Sequence, residues 1–512
     1  MPFGRAASAW ISASALLPAL ADPTFLCGTA IVGLVVMYYI VSGQRCARAL
    51  RPSPGVIRRK MSFCSAACAD GPMPEHAKMN PVDPIINAVV LFEGEAPTRA
   101  AVESAILPLF EFERFRSRKV KIGDDWYWEV LPSFDARTHV IEDSFKGASI
   151  DDLFLRLEVW SQKPLHVPVD GPAFEFALLR NQDKKGPSAV ICRINHAIGD
   201  GVSLAKLIPH VFKDIDGQSL PIGEKFRRRE AGFKPTFRTP FTLLASLFKV
   251  LGTPTTAFDT DVGLTIPDKK NITFTGRRCI VRIPTVKLSF IKSIKNAANV
   301  TVNDVVMSAV AGAVHRFRCA QKDPAMLDPL SHCKVRTRAL MPVALPREEG
   351  DPVKALRNKW SFASVAMPVG VKGSLERLHA ANATMTALKN SPIVIVQNMV
   401  EANLGARLPW TVAKQTAFDS FVRHTFVFSN VPGPNMPITF AGREVSGLYM
   451  AFANLIPQVG ALSLNGKIFT CLVLDDEVTP GARELGEHFI DELMDLARRT
   501  GLENVKKEDI FG

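Results

Sequence analysis

From Pro23 to Gln44 the chain runs for 22 residues without a charge, and no other feature constrains its fold as tightly. About 20 apolar residues in helical form cross the hydrocarbon core of a bilayer. The stretch therefore predicts one transmembrane helix, densest from Phe25 to Val41. Tyr38 and Tyr39 stand near one end, where aromatic rings favour the membrane interface. Arg45, Arg48, Arg51, Arg58, Arg59 and Lys60 follow it, and only Arg5 precedes it. That bias predicts a cytosolic location for everything after the anchor. Two competing readings are a cleavable signal peptide and an organellar transit peptide with plastid targeting, since residues 1–21 are rich in Ala and Ser and hold no acid. The expected layout is an N-terminal segment (1–24), an anchor (25–43), a basic linker (44–75), a first lobe with its crossover (76–275) and a second lobe (276–512). Cys46, just inside the expected membrane face, is either unmodified or a palmitoylation site.

Composition removes several function classes. With 512 residues, 47% hydrophobic and 22% charged, the chain is too apolar for disorder and long enough for two large lobes. Its nine cysteines are scattered, and only Cys64 and Cys68 stand close together. That arrangement supports neither a disulfide scaffold nor a zinc module, and no metal is expected. Half of the net charge of +12 lies in residues 1–60, where seven basic residues face the single acid Asp22. No basic face interleaved with aromatics occurs, so nucleic acid is not an expected partner; basic beside apolar sequence points to membrane lipid.

Strand-like runs are predicted at Ile85–Phe92, Trp126–Leu131, Phe174–Leu179 and Ser188–Asn195, with helices at Thr98–Phe110, Ile150–Trp160 and Ser203–Lys213. A basic run, Lys225–Arg229, and an apolar one, Phe241–Leu251, make a crossover that suits either a membrane surface or a solvated loop followed by a packed helix. Beyond Arg277, helices are expected at Lys287–Ala298, Val302–Phe317, Leu375–Leu388 and Glu484–Arg499. Strands are expected at Cys279–Ile283, Arg338–Val343, Trp360–Val369 and Thr425–Ser429, and Asn465-Gly466 predicts a hairpin between Val459–Leu464 and Lys467–Leu474. The result is an α/β protein with mixed sheets in two lobes.

The stretch richest in chemistry is Ile194-Asn-His-Ala-Ile-Gly-Asp-Gly-Val-Ser203, where a buried strand runs into a glycine-containing turn. An imidazole at the mouth of such a turn serves as a general base near neutral pH. An aspartate four residues on can fold back to hold the turn, although a capped turn with an ordinary histidine fits the same string. Ser203 lacks a Gly-x-Ser-x-Gly setting, which disfavours a serine hydrolase. Thr301 and Asp304 read as a capping box. His315, His424 and His488 read as packed or surface histidines.

Four motifs in order resemble the bifunctional wax ester synthase/diacylglycerol acyltransferase (WS/DGAT) family. Asn195 to Gly201 matches its His-His-x-x-x-Asp-Gly string, Asn303-Asp-Val-Val306 its Asn-Asp-Val-Val helix start, and Met341-Pro-Val343 with Asn358 its Pro-Val and Asn positions. Ser429 to Pro434 matches its Ser-Asn-Val-Pro-Gly-Pro turn. The resemblance spans roughly Pro81 to Glu503, with the family's C-terminal region at about 355–508. Asn195 replaces the first histidine of the pair, and Pro172-Ala-Phe174 only echoes the family's Pro-Leu-Trp.

The resemblance implies a two-lobed fold like that of chloramphenicol acetyltransferase, with a tunnel between the lobes. It implies His196 as general base, Asn195, Asp200 and Gly201 as structural parts of the active loop, and Asn303, Asp304, Ser429 and Asn430 as tunnel or support residues. The implied substrates are acyl-CoA and either diacylglycerol or a long-chain alcohol, with no further cofactor, on the endoplasmic reticulum. A soluble-metabolite acyltransferase would carry Asp-Phe-Gly-Trp-Gly, which is missing, and a condensation domain would need a carrier-protein partner, against which the expected anchor argues. The reading from another class is a catalytically weakened lipid-binding or scaffold protein, marked by Asn195. Three Asn-x-Thr sequons, at Asn271, Asn299 and Asn382, are expected to stay unmodified if the body is cytosolic.

Overall fold

The computed structural model describes residues 55–511 apart from 72, 75–82, 134, 168–169, 184–185, 222–238, 266–276, 329–333, 346–355 and 503–504. The expected anchor, Cys46, the run Lys225–Arg229 and Asn271 lie outside the described residues. Among the described residues no single helix is long and apolar enough to cross a membrane.

Two elements lie within the stretch expected as a linker, 44–75. Arg58–Lys60 forms strand β1 and Phe63–Asp70 forms helix α1, capped by Ser62, whose hydroxyl accepts from Ser65 N. β1 lies antiparallel to β4 (Asp125–Val130), which also pairs with β3 (Ser117–Ile122). The backbone ladder holds it there, and its basic residues add Arg58–Glu129, Arg59–Glu113 and Lys60–Asp125 ion pairs. The small side chains of α1 allow close packing, and Ser65, Ala66, Cys68 and Ala69 are buried. Composition without periodicity had concealed both elements.

Five strands make the first sheet: β2 (Ile85–Phe92), β5 (Val140–Phe145), β6 (Phe174–Asn181), β7 (Ser188–Asn195) and, from far along the chain, β12 (Gly447–Phe452), in the order β12-β2-β7-β6-β5. β2, β6 and β7 are buried almost throughout, as strands covered on both faces must be, and most of their residues are apolar. Helix α2 (Arg99–Ile106) and helix α3 (Ile150–Ser161), the latter opened by a Ser149–Asp152 capping box, pack on this sheet's core. The helix expected over Ser203–Lys213 is instead two short ones, α4 (Gly201–Ala205) and Ile208–Val211, because Pro209 starts a new turn; Phe212–Lys213 then pairs with Thr439–Phe440. Helix α5 covers Thr239–Gly252, so the apolar half of the crossover is helical.

The second sheet has seven strands. Its path runs from Val286–Lys287 through β14 (Lys467–Leu474), β13 (Gln458–Leu464), β11 (Phe426–Val431) and β9 (Thr337–Ala344) to β10 (Trp360–Met367), with β8 (Cys279–Arg282) also on β14. Asn465 and Gly466 both take positive φ at the β13–β14 hairpin, as expected. Helices α6 (Leu288–Ala297), α7 (Val302–Ala320), α8 (Ser374–Lys389) and α11 (Leu485–Arg499) cover one face. Leu485, Phe489, Leu493 and Leu496 form the buried stripe of α11. Two further helices, α9 (Ile393–Asn403) and α10 (Trp410–Val422), were not foreseen.

Asn382 and Asn299 differ as sequons. Asn382 Nδ2 donates to Asp304 Oδ2 at 2.9 Å, so this side chain is already engaged, whereas Asn299 is exposed in a left-handed turn.

Candidate active site

β7 ends on Asn195, and the turn that follows is held from every side. Ile198 N donates to Asn195 O, and His196 N donates to Pro84 O beside β2. Asn195 is fully buried, and its Oδ1 accepts from Ala197 N at 2.9 Å. Asn358 Nδ2 donates to the carbonyls of His196 (2.6 Å) and Ala197 (3.0 Å), and Arg114 Nη1 donates to those of Ala197 and Ile198. Burial and the neighbouring Arg357 push the Arg114 guanidinium down to about 10.

Asp200 caps α4. Its Oδ1 accepts from Ser203 N and its Oδ2 from Lys359 N, both at 2.9 Å, so one carboxylate ties the turn to the segment leading into β10. The Ser203 hydroxyl donates to Arg357 O and accepts from Arg357 N. It is a structural clasp, in line with the absence of a nucleophile elbow. Sequence reasoning missed Arg114, which no motif marks, and took Asn358 only as a motif position.

The His196 ring sits between Trp360 of β10 and Phe452 of β12, with ring centroids 5.8 and 5.9 Å away. Burial pushes its pKa below the ordinary value, opposed by the field of Asp200. The imidazole is therefore neutral at pH 7. Among the described residues, His196 Nδ1, Asn195 Nδ2, Asn358 Oδ1 and Trp360 Nε1 are buried without a hydrogen-bond partner. Unpaired buried polar atoms are rare, and here four surround one turn.

His196, Asp200 and Gly201 line a cavity of about 1520 Å³, together with Asn303, Ser429 and Asn430 from the second lobe. Asn430 Nδ2 donates to Asn303 Oδ1 at 3.2 Å. Most drug-sized ligand pockets span about 300–1,000 Å³, so this one suits a longer molecule. Its walls are largely apolar, with Ile86, Met341, Phe362, Phe428, Met450 and Phe452 among them. Cys64 and Cys68 of α1 also line it, as burial-raised and hence neutral thiols, Cys68 at about 12.

Asn195 and Asp304 do not line the cavity. Asp304 is fully buried in the capping box with Thr301, and its Oδ2 also accepts from Asn382 of α8. It thus fixes the start of α7, and Asn303 beside it, from behind. Gly433 is required by a close approach, since a Cβ there would stand 2.2 Å from Ser463 O. Of the other histidines named from the sequence, His315 and His424 are bound to backbone carbonyls, and His488 packs on Phe317. Burial and nearby arginines push His424 down to about 3. Among the described residues no cluster suited to a metal ion occurs.

The profile of the WS/DGAT C-terminal domain matches residues 356–497. Wax ester synthase/diacylglycerol acyltransferase 3 of Arabidopsis thaliana is 24% identical over 461 residues, 82% of this chain and 92% of its own length. A probable diacylglycerol O-acyltransferase, tgs2, of Mycobacterium tuberculosis is 29% identical over 343 residues, 62% of this chain and 72% of its own. Among solved structures, a wax ester synthase/diacylglycerol acyltransferase from Marinobacter aquaeolei VT8 superposes with a TM-score of 0.55 at 19% identity, over 81% of this chain and 95% of that one. The TRI3 trichothecene 15-O-acetyltransferase of Fusarium sporotrichioides gives 0.53 at 11% identity, over 86% and 95%. The structural likenesses show a shared fold.

Proposed function

We propose that this chain, an acyltransferase that carries the WS/DGAT C-terminal domain and resembles that family over most of its length, transfers an acyl group from acyl-CoA to the hydroxyl of diacylglycerol or of a long-chain alcohol. The observation that carries the reading is a neutral, buried imidazole on a fastened turn at the wall of a large, mainly apolar cavity. His196 takes the acceptor hydroxyl's proton as the oxygen attacks the thioester carbonyl. The tetrahedral intermediate collapses with cleavage of the C–S bond. The thiolate of CoA leaves and takes the proton back from the imidazolium, so the base is regenerated. Asp200, Asn358 and Arg114 hold the turn, and Asn303, Ser429 and Asn430 are among the polar residues of the cavity wall.

The pH dependence tests this assignment. A histidine whose pKa is lowered remains a competent base below its ordinary value of about 6.5. The kcat/KM profile reports ionisations of the free enzyme, so its acid limb is expected below that value. A midpoint at or above it would remove His196 as the base.

In the same reading residues 25–43 anchor the protein in the endoplasmic reticulum with the body in the cytosol, where acyl-CoA is available. Of the six basic residues after the anchor, Arg58, Arg59 and Lys60 are spent on ion pairs in the body, so orientation rests on Arg45, Arg48 and Arg51. Asn299, the exposed sequon, is expected to carry no glycan. A glycosidase-sensitive mass shift there would put the body in the lumen and overturn the orientation.

A further inference from the structure

Helices α5 and α9 lie side by side over a small core of Val250, Ile393 and Val396. Outward, α5 presents Phe241, Leu244 and Phe248, and α9 presents Met399 and Ile395, the latter also bordering the cavity; Phe241 is 75% exposed and Met399 56%. The spacings of three, four and four residues make each set one helical stripe. Isolated exposed apolar residues are ordinary, but a continuous patch on a soluble surface marks an interaction site.

The same helices also form a wall of the cavity, through Val250, Leu251, Val394 and Val400. Lys249 and Lys389 line it there too, and neither has a carboxylate partner among the described residues. The sequence 222–238, immediately before α5, contains six Lys or Arg against Glu224 and Glu230, and α5 itself contains no acid. An apolar stripe flanked by an excess of positive charge complements the acyl region and phosphate layer of a lipid surface. A second copy of this chain would bring the same positive charge against itself.

We propose that the outward sides of α5 and α9 seat in the headgroup–acyl boundary of a phospholipid surface, which brings the cavity wall they form to the layer where apolar acceptors dissolve. Only the identity of the molecule that enters rests on the acyl-transfer reading. The seat itself is a matter of these five side chains and the neighbouring lysines.

The test uses the full chain in vesicles of phosphatidylcholine with one-fifth phosphatidylserine. The emission added by Phe241→Trp is compared with that added by Leu155→Trp, at an exposed position on α3. With phosphatidylcholine brominated on its acyl chains, the tryptophan at 241 is expected to be quenched roughly twofold more strongly. Equal quenching at the two positions overturns the proposal. So does a dimer in detergent solution that Phe241→Asp with Met399→Asp dissolves, since that face would then be an interface between copies.

In a second arm, Phe241→Asp, Leu244→Asp and Met399→Asp are combined. Transfer to diolein in the vesicles is expected to fall roughly tenfold, the loss of three buried apolar anchors, while transfer to a water-soluble short-chain alcohol is unchanged. An equal fall on both acceptors counts against the seat. Absence of transfer by the unsubstituted protein to either acceptor would instead overturn the acyl-transfer reading and leave the quenching result standing.

Discussion

His196→Ala is expected to lower acyl transfer by roughly 10²–10⁴-fold, the usual contribution of a positioned general base. The fold should survive, because what fastens the turn is the backbone of residue 196 and not its ring. Its N–H donates to Pro84 O, its carbonyl accepts from Asn358, and its Nδ1 has no partner among the described residues. The ring borders the cavity, so its removal enlarges an existing space. Transfer of labelled acyl-CoA to diolein and to a long-chain alcohol, with a thermal melt alongside, checks both halves. His196→Gln, which keeps the bulk and cannot accept the proton, should behave like the alanine variant. Turnover like that of the unsubstituted protein in either variant removes the mechanism.

Glu175→Ala is expected to be the most damaging single change to stability near the site. Glu175 on β6 and Arg193 on β7 form an ion pair with both side chains wholly enclosed. Arg193 also donates to Asn87 Oδ1 on β2 and to the carbonyls of Lys163 and Pro164, and Glu175 accepts from His166 N. Burial already pushes the Arg193 guanidinium below its ordinary value. Without Glu175 that charge stays buried and uncompensated, at a cost of about 3–5 kcal/mol. Denaturant unfolding measures it, and a loss under about 1 kcal/mol would show that the arginine relaxes towards water. Glu175→Leu with Arg193→Met should recover most of the loss, because both charges then leave together. Arg193 lies two residues before Asn195, so the single variant should also loosen the turn that bears His196.

The sequence marks these elements unevenly, for physical reasons. α11 was legible because its buried side chains follow the helical period, and β2 and β7 because each is a short, mostly apolar run of strand length. The Asn465-Gly466 hairpin was legible because its turn demands two positive φ values. α9 was not, since Ile393-Val-Ile-Val396 is a β-branched run that favours strands until packing on α5 decides otherwise. α1 was hidden by side chains too small to show a stripe. At the site, the strand–turn–helix and the capping box could be read locally. Arg114 could not, because its partners lie more than 80 residues away and no local pattern encodes them. The placement of Asn303 against Asn430 likewise depends on a contact across 127 positions.

β12 comes from the second half of the chain and completes the first sheet beside β2, where Asn87 Nδ2 reaches Ala451 O across 364 positions. During synthesis, at roughly 5–20 residues per second, β2 must wait about half a minute for its neighbour. Throughout that interval the β2 side of the sheet is an open edge of apolar strand, a template for pairing with other chains. The first lobe therefore cannot mature ahead of the second, and Phe452, which borders His196, arrives only with β12. Made separately, residues 76–275 would lack a strand and aggregate. A ribosome that stops short of Gly447 leaves a chain with no finished catalytic wall and an exposed edge, a product suited to chaperones and proteases rather than to lipid synthesis.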